Sequence, residues 1–538
     1  MVIAVAIVIL LFAQARLLYN FPQPDSSRWW GDETGQMLEL RTELHDGFAR
    51  IPAGLGSSVA ITNGLVRGNS WLAAAIYGIP AIVFSSAADL VTIGRTVTFL
   101  IALLLLVVMY AVLRTLRVPM LLALAALLLL VSTRSFFFAS HAARLDIAAG
   151  LAVLAFASYL ASRYEQFRDG HWIPSVRWYF SYGIALVIFA TLSIHLVTLL
   201  GSFTIYMLWR FRSYRNPSAL FGAAGGAVLA LAVLLLFYVF SGAPFSLFGP
   251  SSASNQFQSV ASGLPILRPF SRSVQTANIL ERLHGLWSEA PAFLALLGFA
   301  IVFRRVAHKI SPASFREQWI TGAAMTIALA WLLFQSPALY YYLQVLPLFI
   351  IAIMLSLSRQ WKSSRISILS LASLSILLCF LGVHDTLRAG VLARTIERDN
   401  HAALSDALKF IESEPKSNRK EKPLVLAQNP GIAWLEHERN IRLMTAHLVG
   451  FPRSNAPVSM VLQQLGVNYI ILYASYNGTI YSDDYHTLRP IADSFGTVLL
   501  RKPGTLFDVH RDYFSEKALN DTTSMDTLIL YKLSSFAR

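Results

Sequence analysis

The sequence predicts a polytopic α-helical membrane protein with a C-terminal α/β domain outside the membrane. Three observations predict it. The first is composition: of 538 residues, 55% are hydrophobic and only 14% charged, with a mean hydropathy of +0.54. A soluble globular protein carries about 25% charged residues. The second is the recurrence of long apolar runs over the first 385 residues. The third is a change of character near residue 390, where short strand-like runs begin to alternate with helical ones. Together these exclude a disordered chain, which would be polar and highly charged, and speak against an ordinary soluble enzyme.

Spans are read near 2–19, 91–113, 118–133, 145–162, 178–193, 195–209, 219–240, 290–303, 318–335, 340–357 and 366–384. A full crossing takes about 20 residues at 1.5 Å each. The first run, with Ala13-Gln14-Ala15 behind it, also resembles a signal-peptide core, but no basic segment precedes it.

Charge sets the orientation. The net charge is +14. Fifteen basic residues fall in five short loops: Arg114 and Arg117; Arg163, Arg168 and Arg177; Arg210, Arg212 and Arg215; Arg304, Arg305, Lys309 and Arg316; Arg359, Lys362 and Arg365. Only Glu165, Asp169 and Glu317 oppose them, so these loops hold +12 of the +14. Basic loops stay in the cytoplasm. The excess is therefore a topology signal, and no nucleic-acid partner is needed to explain it. Arg177 and Arg210 then face the same side, and the 32 residues between them reach only about 48 Å as helix. That fits a shallow hairpin with its tip near Ser193–His195. Counted as two, it gives about eleven spans, N-terminus in and C-terminus out, in a multi-pass inner membrane.

The membrane domain is expected over 1–389, with outer loops at 20–90 and 242–289, and the α/β domain over 390–538. In the latter, helices are read at His401–Glu412 and Val458–Leu465. Strands are read at Leu424–Ala427, Tyr469–Tyr473, Val498–Leu500 and Leu528–Tyr531. Cys379 is the only cysteine, so the outer parts are stable without an intrachain disulfide and no cysteine-based metal site exists.

Ionisable groups at membrane depth are costly and mark function. Arg28-Trp29-Trp30-Gly31-Asp32-Glu33 follows the first span. Asp32 and Glu33 fit a helix start, with Asp32 as N-cap, and that use also fixes a carboxylate rigidly. Ser140-His141-Ala142-Ala143-Arg144-Leu145-Asp146 precedes the fourth span. Arg144 and Asp146 fit a salt bridge at the mouth of that span, or a polar cluster facing a cavity.

The order of these elements resembles the GT-C-type glycosyltransferases, in particular the protein O-mannosyltransferase and lipid A aminoarabinose transferase branch. The resemblance rests on Asp32-Glu33 with a following helix, Trp71–Phe84, Gly94-Arg95 before the second span, and Arg144-x-Asp146. It continues with Tyr340-Tyr341-Tyr342-Leu343-Gln344-Val345-Leu346-Pro347 and the tail element Gly466-Val467-Asn468-Tyr469-Ile470. The chain departs from the common pattern at Gly68-Asn69-Ser70-Trp71 and Ser193-Ile194-His195, which bears on the sugar and acceptor more than on the reaction class.

The resemblance implies an enzyme that takes a sugar from a polyprenyl-phosphate carrier and transfers it to a hydroxyl of a glycan, lipid or protein outside the cytoplasm. A single displacement inverts the anomeric centre, by analogy with inverting glycosidases. Asp32 is the implied base, with Glu33 orienting it or contacting the acceptor. Arg144 meets the departing phosphate, oriented by Asp146, with His141 and His195 as secondary candidates. Tyr340 and Tyr341 contact sugar or phosphate, or form an interfacial aromatic belt. No cofactor and no metal are expected, although some relatives use a divalent ion. Three other functions compete: a transporter or flippase, a polymerase or ligase of lipid-linked surface glycans, and a scaffold. Transporters place their charges near mid-membrane and show repeats, and this sequence does neither.

Overall fold

Among the described residues helices predominate, with one five-stranded sheet beside them. The computed structural model describes residues 2–20, 74–84, 90–141, 146–190, 192, 194–240, 313–334, 343–360, 380, 382–384, 386–387, 402–414, 423–427, 442–445, 458–473, 482–505 and 525–534. The chain divides into two compact units. The first comprises Met1–Arg16, Val66–Ile76 and Arg95–Thr386; the second comprises Leu17–Leu65, Tyr77–Gly94 and Leu387–Arg538.

The apolar runs fold as helices. They are α1 (Val2–Asn20), α2 (Ile79–Phe84, entered through a π turn at Ala74–Gly78), α3 (Leu90–Thr115), α4 (Met120–Val131), α5 (Arg134–His141) and α6 (Asp146–Arg168). Then come α7 (Val176–Ala190), α8 (Ile194–Arg210), α9 (Pro217–Phe240), α10 (Phe315–Phe334) and α11 (Leu346–Gln360). Among the described residues, Thr92–Thr115 and Asp146–Arg168 are long and apolar enough to cross a membrane, and α4 with α5 makes a third if the bent pair is one span. The runs at 290–303 and most of 366–384 lie outside the described residues. Val5, Val8, Ile9 and Phe12 on α1, and Leu100, Leu104 and Val107 on α3, are exposed. Each set recurs at helical spacing and forms one apolar stripe, the kind of surface a bilayer covers.

The span read over 118–133 ends at Ser132–Thr133, and the chain continues, turned by 66°, as α5, a helix that was not expected. Thr133 explains the break: its Oγ1 bonds back to the Leu130 carbonyl at 2.7 Å and accepts from the Phe136 N–H at 3.2 Å. It so closes one helix and caps the next.

The hairpin is present. α7 and α8 are 15 and 17 residues long, with the chain reversing around Leu192. Tyr182 and Thr204 hydroxyls join the two helices at 2.9 Å. α7 packs closely on α9 because glycines line the seam. A Cβ on Gly226 would overlap the Phe180 carbonyl, and one on Gly183 the Ala223 carbonyl. Gly222 and Gly226 stand four apart, the small-xxx-small spacing of intimate membrane helix pairs.

Basic loops converge at one end of this bundle. Arg316 pairs with Glu165, and Arg359 with Glu317. The Arg210 guanidinium lies 4.6 Å from the Tyr164 ring centre, and that of Arg168 4.9 Å from Phe315. Trp319 is fully buried among them, with its ring centre 5.1 to 5.9 Å from those of Tyr206, Tyr164, Phe211 and Phe203. Four of the five loops assigned to one side thus supply residues to one aromatic and ionic plate.

In the second unit the strands are β1 (Leu424–Ala427), β2 (Arg442–Thr445), β3 (Val467–Tyr473), β4 (Gly496–Thr505) and β5 (Met525–Leu533). The helices are α12 (Ala402–Ser413), α13 (Val458–Leu465) and α14 (Ser482–Phe495). The sheet order is β2-β1-β3-β5-β4. β1 is parallel to β2 and β3, whereas β5 runs antiparallel to both β3 and β4. Val425 and Ala427 pack with α12 residues Ala407, Leu408 and Ile411 on one face. Leu424 and Leu426 pack with Leu462, Leu488 and Ala492 of α13 and α14 on the other. This is the period-two alternation of a strand buried on both faces. β2 and α14 were not expected: β2 is only four residues long, and α14 carries Pro490, although Leu488, Ile491, Ala492 and Phe495 recur at helical spacing.

The motif Gly466-Val467-Asn468-Tyr469-Ile470 has a structural purpose. Gly466 turns into β3 with φ of +68°, a conformation that glycine adopts without strain. Asn468 Oδ1 accepts from the Leu424 N–H at 2.9 Å, where the β1–β3 register shifts. Tyr469 donates to Glu414 at 2.7 Å. Lys532 also bonds Glu414, and with Tyr469 it holds that carboxyl below its ordinary range.

Candidate functional site

Of the residues singled out from sequence, Asp146 and His141 are described with their side chains, both in the first unit. Asp32, Glu33, Arg144, Tyr340 and Tyr341 lie outside the described residues. His195 is described as the second residue of α8 without its side chain.

Asp146 opens α6, a 23-residue helix. Its carboxylate sits where the helix dipole favours negative charge. α6 is the innermost of the two long spans, with 67% of its apolar window buried against 39% for α3, so Asp146 is set into the bundle. It is 4% exposed. Its Oδ1 accepts from Gln344 Nε2 at 3.4 Å. Gln344 lies in the turn that leads into α11 and is itself buried.

His141 ends α5 and is fully buried. Its Nδ1 lies 2.6 Å from the Phe137 carbonyl oxygen and 3.0 Å from Ser140 Oγ, and its Nε2 lies 2.7 Å from the Gln14 carbonyl oxygen. Phe137 and Phe99 flank the ring at 4.6 and 6.0 Å between centres. Gln14 completes the tie, donating from Nε2 to the Val131 carbonyl at 3.2 Å. That carbonyl is one of the last in α4, left without a helical partner by the break. His141 therefore clasps α1 to the α4–α5 corner, and both of its nitrogens are occupied by the protein.

The ends of the helices sort these groups. Arg168, Arg210 and Arg359 lie in the last turns of α6, α8 and α11, at the basic plate. Asp146, His195 and Gln344 belong to the opposite ends of the same helices, about 22 Å away along α8 and α11 and about 33 Å along α6. A narrow crevice lined by Val153, Phe156, Leu199, Phe203 and Ile327 lies between; it is wholly apolar and offers no chemistry. Among the described residues no three His, Cys, Asp or Glu gather as a metal site would require.

Gln344 and Gln14 are the polar residues that sequence reasoning passed over. Each is an uncharged side chain within or beside an apolar run, and nothing in its spacing distinguishes it.

No protein-family profile matches the sequence, and no curated protein matches it. Solved structures do. ArnT from Cupriavidus metallidurans in its apo state matches with a TM-score of 0.48 at 14% identity, over 98% of both chains. The same protein bound to undecaprenyl phosphate matches with a TM-score of 0.52 at 14% identity, over 98% of this chain and 97% of that one. The fold of the present chain is thus similar to that of ArnT bound to undecaprenyl phosphate.

Proposed function

We propose that this protein is an integral-membrane glycosyltransferase that moves a sugar from a polyprenyl-phosphate carrier to a hydroxyl acceptor on the extracytoplasmic side. One observation carries the reading: the fold matches, over nearly its whole length, that of a protein solved with undecaprenyl phosphate bound. The buried carboxylate of Asp146 supports it. It stands at the end of α6 away from the basic plate, and basic loops are retained in the cytoplasm. A site at that end faces outward, where nucleotide sugars are absent and a lipid-borne donor is required.

In this reading the acceptor hydroxyl attacks the anomeric carbon as the lipid phosphate leaves, inverting the centre in a single displacement. Asp32 takes the proton, with Glu33 beside it in sequence. Arg144 meets the phosphate with its planar, permanently charged fork, and Asp146 orients Arg144. Tyr340 and Tyr341 contact sugar or phosphate. His195, at the start of α8, remains a secondary partner of the phosphate. His141 is assigned to the fold.

Transfer from a polyprenyl-phosphate sugar tests the reading, using the full chain in detergent. A general base contributes about 10² to 10⁴ in rate, so Asp32→Asn should lower kcat by at least about a hundredfold while the protein stays folded. Normal turnover by folded Asp32→Asn would remove the base assignment. Failure of the wild type to transfer any polyprenyl-linked sugar would remove the function.

A further inference from the structure

Gln344 is an amide in a place where an apolar residue would be lower in free energy. Its side chain is 1% exposed. Nε2 donates to Asp146, while Oε1 is buried and finds no hydrogen-bond donor among the described residues. A buried acceptor left unpaired costs about 1 to 3 kcal/mol. The two side chains are also 198 positions apart in sequence, so helix geometry does not bring them together. The backbone does. A Cβ at Gly150, one turn into α6, would fall 2.8 Å from the Leu343 carbonyl oxygen. The turn carrying Gln344 is therefore seated directly against the first turn of α6, with no side chain between them. That seating places the amide at the Asp146 carboxylate.

We propose that Gln344 is a positioning residue that holds the Asp146 carboxylate at the mouth of α6, and through it the lipid-phosphate site. The inference rests on the polyprenyl-phosphate reading given above. Gln344 does not touch the ligand. It donates to one oxygen of Asp146, the carboxylate assigned above to orient Arg144. The 3.4 Å separation is long for a hydrogen bond to a carboxylate, as such contacts are before a ligand draws the site together. A seam serving stability alone would gain from apolar residues at both positions.

The test separates positioning from structure because the two move different readouts. Full-length protein in detergent is titrated with undecaprenyl phosphate, and its unliganded Tm is measured alongside. Gln344→Leu removes the orphan acceptor but also a donor to the buried Asp146 carboxylate, so the two effects oppose each other and the unliganded Tm should change little. Binding should weaken by about tenfold, the size seen when a partner that orients a ligand-binding group is lost. A lowered Tm with unchanged affinity would mean a structural residue and overturn the proposal. The double variant Asp146→Asn with Gln344→Glu keeps an amide–carboxylate pair, and so keeps the fold, but moves the charge from α6 to the α11 turn. It should bind as weakly as Gln344→Leu; wild-type affinity would overturn the proposal. If the wild type itself does not bind undecaprenyl phosphate, the lipid-carrier reading fails first, and this inference falls with it.

Discussion

At the residue scale, the informative groups are those whose polar atoms are already engaged. His141 carried a secondary role toward phosphate when only its position beside Arg144 was visible. Its environment favours a different use. Carbonyl oxygens of Phe137 and Gln14 stand at its two ring nitrogens, 2.6 and 2.7 Å away. Carbonyls only accept and a neutral imidazole carries one N–H, so the ring donates to one of them while its other nitrogen is closed off by the protein. His141→Phe would keep an aromatic ring against its neighbours but strip the N–H. Leaving buried acceptors unpaired costs about 1 to 3 kcal/mol, so the variant should unfold at a lower temperature in detergent, while undecaprenyl phosphate affinity is unchanged. Intact stability with lost affinity would return His141 to the phosphate. Asp146 was legible from sequence because charge is scarce in this chain and a carboxylate at a span mouth stands out. Gln344 was not, since an uncharged amide inside an apolar run carries no periodic signal; only the approach of α6 to the α11 turn reveals it.

At the scale of elements, hydrophobic runs locate helices but not their seams. The reading placed α3, α6 and α9 within a few residues of their observed starts, and β1 and α13 at their observed limits. It ended the third span at Thr133 but did not see α5 beyond it, because Arg134 and Ser135 interrupt the hydrophobic run and the Thr133 bond that starts the new helix is local. Nor did it see why α7 and α9 pack so closely. The seam is made by Gly183, Gly222 and Gly226, where backbone meets backbone. Gly226→Leu should force the two helices apart at a cost of about 1 to 3 kcal/mol, the usual penalty of overpacking. It would be read as a lower Tm in detergent. Gly201→Ala in α8 is the control. A Cβ there meets nothing within 4 Å, and alanine gains up to about 1 kcal/mol of helix propensity, so that variant should be neutral or stabilised. Equal effects of the two would mean that the α7–α9 seam is not a close contact.

At the scale of the whole molecule, the +14 net charge becomes a statement about sidedness. Residues from four basic loops meet in one plate around Trp319. Loops that share a plate share a side, so the retention rule for basic loops acts on them together. The orientation N-in and C-out then requires an odd number of crossings between the 163–177 loop and α12. The chain suits a direct measurement, because Cys379 is its only cysteine. In a Cys379→Ser background, His171→Cys and Lys409→Cys place single thiols at exposed positions, one in that loop and one on α12. An impermeant maleimide applied to intact cells should label Lys409→Cys and spare His171→Cys, with both labelled after lysis. The reverse pattern would invert the protein, moving Asp146 and Gln344 to the cytoplasmic side, where nucleotide sugars are available and a lipid-borne donor is no longer required. Equal labelling of the two would make the number of crossings between them even, and the count of about eleven would then be wrong by one.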